Sequence, residues 1–443
     1  MQTTHTVPAE RVHDVLARSI LADGYPFVYD IERSHGSWLV DARTGDEYLD
    51  AFSFFASAAI GHNHAVLRDP AFRERLLLAA LHKPSNSDVY TTFMADFVDA
   101  FSRLAVPPEF PHLFFIEGGA PAVENALKAA FDWKVRRNLA AGNGERGSQI
   151  IHFTNAFHGR LGYTLSLTNT ADPRKYLYYP RFDWPRIPAP MTHFPLTPES
   201  LTAVEAEEAQ ALADIRGILE RDAVDVAAII VEPIQAEGGD NHLRPEFLQG
   251  LRGLADEFDV LLIFDEIQTG MGITGSWWLF QQLGVAPDIF SFGKKAQVCG
   301  IAASRRLDEV ERNVFVEPSR ISSTWGGNLT DMVRGQAIVE TIANDDLLGN
   351  ARRMGARLLD GITKFAERAP IDNVRGRGLM IAFDLGDTAA RDAVLARALD
   401  ERLIVLPCGR RSVRLRPYLT ITEDEATALL ERLGAALGLP RTA

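Results

Sequence analysis

Five short, mostly apolar runs constrain this chain more than any other feature: Leu113 to Ile116, Gln149 to Phe153, Val226 to Val231, Val260 to Phe264 and Ile289 to Phe292. Runs of this length, bounded by turns, read as strands buried on both faces, and strands that alternate with helices predict a parallel sheet. Each run is followed almost at once by small, polar or charged residues. These are Glu117-Gly118-Gly119-Ala120, Asn155-Ala156-Phe157-His158-Gly159-Arg160, Glu232-Pro233, Asp265-Glu266-Ile267-Gln268-Thr269-Gly270 and Gly293-Lys294-Lys295. The carboxyl edge of an open α/β sheet is where ligands bind. A site along that edge is therefore expected.

Between the runs, Val123, Ala126, Leu127, Ala130 and Phe131 fall at helical spacing and predict a buried stripe, with Pro121 at the first helical position. Residues 8 to 24 read as a short helix, Gly36 to Asp50 as a hairpin turned by Thr44-Gly45-Asp46, and Phe93 to Leu104 and Leu201 to Glu220 as helices. Pro185 to Pro198 reads as an extended surface connection. Phe52 to His64, rich in aromatic and small residues, is open between a loop covering a core and a pocket wall. Beyond about residue 331 comes a long helix. It is followed by strands at 378–385, 403–406 and 413–415 interleaved with helices. The expected organisation is an N-terminal segment, 1–65, joining a small domain; a large α/β domain, 66–335; and a C-terminal small domain, 336–443.

A net charge of −13 argues against nucleic acid or an anionic membrane as partner. Cys299 and Cys408 form no CxxC pair, Met1 to Glu10 lacks the apolar core of a signal peptide, and no run approaches the roughly 18 apolar residues of a membrane span. A reduced, soluble, cytoplasmic protein is expected, with no metal site.

At the sheet edge, Lys294 is open between a turn-closing surface lysine and an amine kept for chemistry. Asp265 ends an apolar strand and needs a partner, because an unpaired buried carboxylate is costly. A metal is one such partner, though no His/Asp cluster has ligand spacing; a cationic pyridinium nitrogen is the other. The Gly118-Gly119 turn either simply closes or offers helix N–H groups to a phosphate. Phe157 is a core residue or a stacking face. Lysine, aspartate, glycine turn and aromatic-His-Gly turn together make up the parts of a pyridoxal phosphate site.

In this order and spacing the pieces resemble the class III (ω-type) aminotransferases of pyridoxal phosphate fold type I, across nearly the whole chain. The pieces are Glu117 to Ala120, Phe157 to Arg160, Glu232-Pro233, Asp265 to Gly270, Gly293-Lys294 and Thr324-Trp325-Gly326-Gly327. Lys295-Ala296-Gln297-Val298-Cys299-Gly300 replaces the glycine-rich run usual after the lysine. With Ser323 to Asp331, it resembles the lysine-specific branch of the class.

The resemblance implies a large domain with a mostly parallel central sheet, a smaller α+β domain built from both chain ends, and pyridoxal 5′-phosphate as cofactor. It assigns Lys294 to the Schiff base and the proton shuttle, Asp265 to the ring nitrogen and Gln268 to the phenolic oxygen. Phe157 and Ile267 take the ring faces, Gly119 and Ala120 the phosphate, and Thr324 the phosphate of the neighbouring subunit in a homodimer with shared sites. His158 and Glu232 belong to the same cofactor site. Lys295 is expected to point elsewhere. Arg416 is assigned to the α-carboxylate of 2-oxoglutarate or L-glutamate, with Arg414 an alternative at alternate strand spacing. Glu237 is assigned to pair with Arg416 and swing aside, and Arg160 to the distal carboxylate or that of L-lysine. The implied reaction moves the ε-amino group of L-lysine to 2-oxoglutarate. Other donors (ornithine, 4-aminobutyrate, diaminobutyrate) and an aminomutase are the alternatives.

Overall fold

A computed structural model describes residues 6–440. Met1 to His5, part of the polar start noted above, and residues 441–443 lie outside the described residues.

Seven strands form the central sheet in the order His112–Ile116, Cys299–Ala303, Ile289–Phe292, Leu261–Asp265, Val226–Val231, Gln149–Phe153, Arg186–Ile187. From Ile289–Phe292 onward the neighbours run parallel, whereas Cys299–Ala303 is antiparallel to both of its neighbours. The expected parallel sheet thus carries one reversed strand, which the apolar pattern did not show. The edge strand Arg186–Ile187 lies inside the connection expected to be purely extended.

Burial on both faces explains why these runs are apolar throughout. Leu261 and Ile263 face Val123, Ala126, Leu127 and Ala130 of helix Gly119–Ala140. Leu262 and Phe264, alternating to the other side, pack with Phe247, Leu248 and Leu251 of helix Pro245–Glu257. Each such side chain contributes about 1.5–3 kcal/mol of burial. The helix begins at Gly119, so Pro121 lies inside its first turn rather than at its first position.

The hairpin Trp38–Val40 and Glu47–Asp50 forms as expected, and Leu403–Ile404 pairs in parallel with its second strand. A four-stranded antiparallel sheet orders Asp372–Arg377, Met380–Asp384, Ser412–Leu415 and Leu406–Cys408. Both chain ends meet where the Arg416 N–H donates to Ala51 O (2.7 Å) and the Leu419 N–H to Ala59 O (2.9 Å). The first expected helix is short, Val12–Leu16 after a turn of 3-10 helix. The long helix is two, Leu329–Asn344 and Leu347–Phe365, and Asp346 caps the second. No described helix is long and apolar enough to cross a membrane.

Strand register sets the site. Asp265 lies opposite Ser291, and Val231 opposite Phe264, so Asp265, Glu232 and the Lys294 turn emerge at one level. Cys299 lies opposite Ile116, which brings the Gly118-Gly119 turn beside them.

Candidate active site

A cavity of about 1150 Å³ opens at this edge, with Gly118 to Ala120, Phe157 to Arg160, Glu232, Glu237, Asp265, Ile267, Gln268 and Lys294 in its wall. The chain ends supply the opposite wall through Tyr29, Phe54, Phe55, His62 and Tyr418.

Asp265 is held by three donors. His158 Nδ1 donates to Oδ2 (2.8 Å), and the Ser291 hydroxyl (3.0 Å) and the Ile267 N–H (3.1 Å) donate to Oδ1. Burial alone would lower the His158 pKa, but the hydrogen bond and charge of Asp265 raise it. Glu232 accepts from the Phe157 N–H (2.9 Å) and the Ala236 N–H (3.2 Å), and so fixes the backbone that carries Phe157. Burial pushes its carboxyl up to about 7, with His158 opposing and Asp265 adding.

The two adjacent lysines part company. Lys294 has φ +51°, faces the cavity and donates from Nζ to Phe55 O at 3.0 Å. Its pKa is lowered to about 8 by burial and then by the charges of Arg414 and Arg416, with Glu237 and Asp265 opposing. Lys295 is 2% exposed and absent from the cavity wall. It donates to Ala56 O and Gln268 O, both at 3.1 Å, and burial holds its pKa well below the usual lysine value.

The carbonyls that receive both lysines belong to an unusual turn. Ser53, Phe54, Phe55 and Ala56 all have left-handed φ (41°, 52°, 59° and 62°), although none is glycine. Each such residue costs roughly 1–2 kcal/mol. Local strain persists where its surroundings over-determine it. Here Asp50 Oδ1 accepts from the Phe52 and Ser53 N–H groups (2.7 and 2.8 Å), and the Ser53 hydroxyl donates to Arg416 O (2.6 Å). The aromatic-rich segment is therefore a pocket wall.

At Gly118, with φ +95°, the chain turns into helix Gly119–Ala140, whose first N–H groups border the cavity. A Cβ added at Gly119 would lie 3.1 Å from Ile267 Cδ1, so the bare backbone leaves an open cradle under Ile267, beside helix N–H groups of the kind that bind anions.

At the far end the structure corrects one expectation. Glu237 pairs not with Arg416 but with Arg414, whose Nη2 donates to Oε2 at 2.6 Å. Arg416, wholly buried, is held by both oxygens of Asp240 (2.8 and 2.5 Å) and is absent from the cavity wall. Arg414 and Arg416 stand two residues apart, a spacing that a strand would place on one face, so alternation along the sequence could not separate them. Asp240, left-handed at φ +51°, is the discriminating partner, and no motif marked it. Arg414 Nε and Nη1 make no hydrogen bond among the described residues. Lys175, from a turn with no periodic signal, also donates to Glu237, at Oε1. Burial raises the Glu237 pKa, but Arg414 and Lys175 outweigh it and hold the carboxyl below its usual value. Arg160 is exposed, 5.7 Å from the Phe157 ring centroid. Thr324 is exposed and outside the cavity wall.

An amine of lowered pKa facing a buried carboxylate, beside a helix N-terminus, fits a phosphorylated aromatic aldehyde: Lys294 for the aldehyde, Asp265 for a ring nitrogen, the Gly119 cradle for the phosphate. Residues 20–437 match the family model for aminotransferase class-III, and the chain belongs to that family. It has the type I fold of pyridoxal-phosphate-dependent transferases and is a pyridoxal-phosphate-dependent aminotransferase.

More particularly, it is 52% identical to the L-lysine-epsilon aminotransferase of Amycolatopsis lactamdurans, over 97% of this chain and 96% of that one. It superposes with a TM-score of 0.95 on the lysine aminotransferase from M. tuberculosis in the internal aldimine form, at 52% identity over 98% of this chain and 99% of that one. The mitochondrial 4-aminobutyrate aminotransferase of Homo sapiens is 31% identical over 96% of this chain and 88% of that one.

Proposed function

We propose that this aminotransferase moves the ε-amino group of L-lysine to 2-oxoglutarate in a ping-pong cycle. The products are L-glutamate and 2-aminoadipate 6-semialdehyde, which cyclises to piperideine-6-carboxylate. The observation that carries this reading is the position of Glu237, which borders the cavity while the Arg414 it pairs with does not. A lysine ε-carbon is followed by methylenes, against which a bare guanidinium would be desolvated without reward. With Glu237 in place that charge is covered. 2-Oxoglutarate instead brings a carboxylate to the same place, and Arg414, its Nε and Nη1 unspent, takes it once Glu237 moves. Arg160 receives the second carboxylate, or that of lysine. The 52% identity to enzymes named for lysine ε-amino transfer supports the same donor.

Bound pyridoxal phosphate supplies an aldehyde for the amine and a ring that accepts the electron pair left by proton loss. Lys294 Nζ, its pKa lowered to about 8, would take that proton from the substrate carbon and deliver it to the carbon that had carried the cofactor's aldehyde, so that the amine stays with the cofactor. Asp265, steadied by His158 and Ser291, would balance the positive charge of a protonated ring nitrogen. Glu232 holds the Phe157 N–H, so that Phe157 would take one face of the ring, with Ile267 for the other and Gln268 for the phenolic oxygen.

The reading includes a homodimer in which Thr324 serves the partner's phosphate. Exposed Val89 and Tyr90 adjoin the loop that Ser87 ties to Ser323 O (2.6 Å), with Trp325 beside it, an apolar surface suited to a second copy. Free Cys299 and Cys408 accord with a cytoplasmic setting.

Lysine labelled at the ε-nitrogen tests the donor: the label should appear in glutamate, and only when 2-oxoglutarate is added. Label that stays out of glutamate, or turnover without 2-oxoglutarate, would refute the reading in favour of another donor or a mutase. Lys294→Ala should abolish both turnover and the visible absorbance of bound cofactor.

A further inference from the structure

Glu237 has a second cation. Lys175 Nζ donates to its Oε1 while Arg414 Nη2 holds its Oε2, so one carboxylate bridges two positive groups, one at each oxygen. Neither cation borders the cavity; Glu237 alone does. Lys175 pairs with no other carboxylate among the described residues, and its side chain is mostly buried beside Phe157, whose ring centroid is 5.6 Å from Nζ. From this geometry we infer that Lys175 is a positioning residue for acceptor recognition. It retains Glu237 when a dicarboxylate displaces that carboxylate from Arg414. The inference deepens the lysine/2-oxoglutarate reading above and rests on it.

Loss of Lys175 would weigh unequally on the two arrangements. A carboxylate that leaves a buried guanidinium needs another partner or water, since stranding it in a low-dielectric wall is expensive. With Lys175 present, the covered and the open arrangements each leave Glu237 ion-paired. Without Lys175, the covered arrangement keeps Arg414 as partner, whereas the open one has none. An equilibrium moves only by the difference between its two states. Removing Lys175 therefore disfavours opening, and the penalty falls on the substrate that requires opening. L-Lysine, which uses the covered arrangement, escapes most of it. Lys175 thus sets the ratio in which one cavity serves its two substrates, acting through Glu237 rather than by contact with either.

The test uses the holoenzyme and Lys175→Met, a substitution that keeps the stem and removes the charge. Two readouts are taken: the dissociation constant of glutarate, a non-reacting dicarboxylate, by calorimetry, and the separate half-reactions with L-lysine and with 2-oxoglutarate. The expected result is that the glutarate dissociation constant and the KM for 2-oxoglutarate rise roughly tenfold, within the usual coupling of contacting charges, and the lysine half-reaction changes several-fold less. Lys175→Arg should restore acceptor binding. In an E237A background, Lys175→Met should add nothing further. Equal weakening of both half-reactions, or an undiminished effect in that background, would overturn the inference, because Lys175 would then act on substrate or on the fold directly. Glutarate binding does not depend on which amine is the donor, so failure of the lysine assignment and failure of this inference are told apart.

Discussion

Arg414 and Arg416 stand two residues apart and should fail in opposite ways. Asp240→Asn preserves shape but removes the negative charge from a guanidinium that is 0% exposed, with Asp240 itself 1% exposed. Breaking a buried pair of this kind costs about 3–5 kcal/mol. An unfolding entropy of about 2.1 cal/mol/K per residue, over a chain this long, makes that a fall in Tm of roughly 3–5 °C. Arg414→Met, in contrast, leaves Glu237 paired with Lys175, so its cost to the fold is smaller. What it removes is the charge-assisted contact to the acceptor's carboxylate, worth about 2 kcal/mol, or roughly a thirtyfold weaker glutarate affinity. Thermal melts followed by circular dichroism, set beside glutarate titrations, separate the two. If Arg414→Met left glutarate binding within about twofold of the parent while Asp240→Asn abolished it at unchanged Tm, the roles assigned to the two arginines would be reversed.

Glu237→Ala should slow the lysine half-reaction more than the glutamate half-reaction, because it leaves Arg414 bare against the methylene chain; equal losses count against the covering role. The Lys294 pKa, lowered to about 8 from 10.5, sets the pH at which the apoenzyme captures cofactor. Only the neutral amine attacks, so the capture rate should climb about tenfold per pH unit below that value and level off above it. A midpoint near the usual lysine value would show that the site does not depress this amine. Gly119→Ala puts a Cβ 3.1 Å from Ile267 Cδ1 and should weaken cofactor binding several-fold with little change in the apoenzyme's Tm, measured by cofactor titration and melting. Unchanged affinity would mean that the cradle has room to spare.

The parallel strands were legible because burial on both faces demands unbroken apolar runs, and Leu261 to Phe264 meets that demand residue by residue. Their polar ends located the cavity for the same reason: a charged residue just beyond such a run is at the sheet edge. Strand Cys299–Ala303 was not legible, since two alanines and a glycine carry little strand preference and tertiary pairing supplies the rest. Nor was the left-handed turn Ser53–Ala56, whose backbone would ordinarily call for glycine. Asp50, two lysines and the Arg416 carbonyl that Ser53 reaches, brought together from three parts of the chain, hold it in place. The partner of Glu237 depended on Asp240 capturing Arg416, a long-range choice between chemically identical side chains.

The reversed strand has a consequence for the two adjacent lysines. Phe292 pairs with Gly300 across an antiparallel hairpin, so the segment carrying Lys294 and Lys295 is a closed loop rather than the start of a crossover. In a hairpin, a slip of one residue turns every side chain to the opposite face. Which of two neighbouring amines reaches the cavity, and which is sunk against the Ala56 and Gln268 carbonyls, is thus decided by sheet register. Gly300 guards that register, because a Cβ there would lie 2.1 Å from Phe114 O. A one-residue deletion between Ala296 and Val298 would leave both lysines in the chain but put their register, and so the choice between them, at stake.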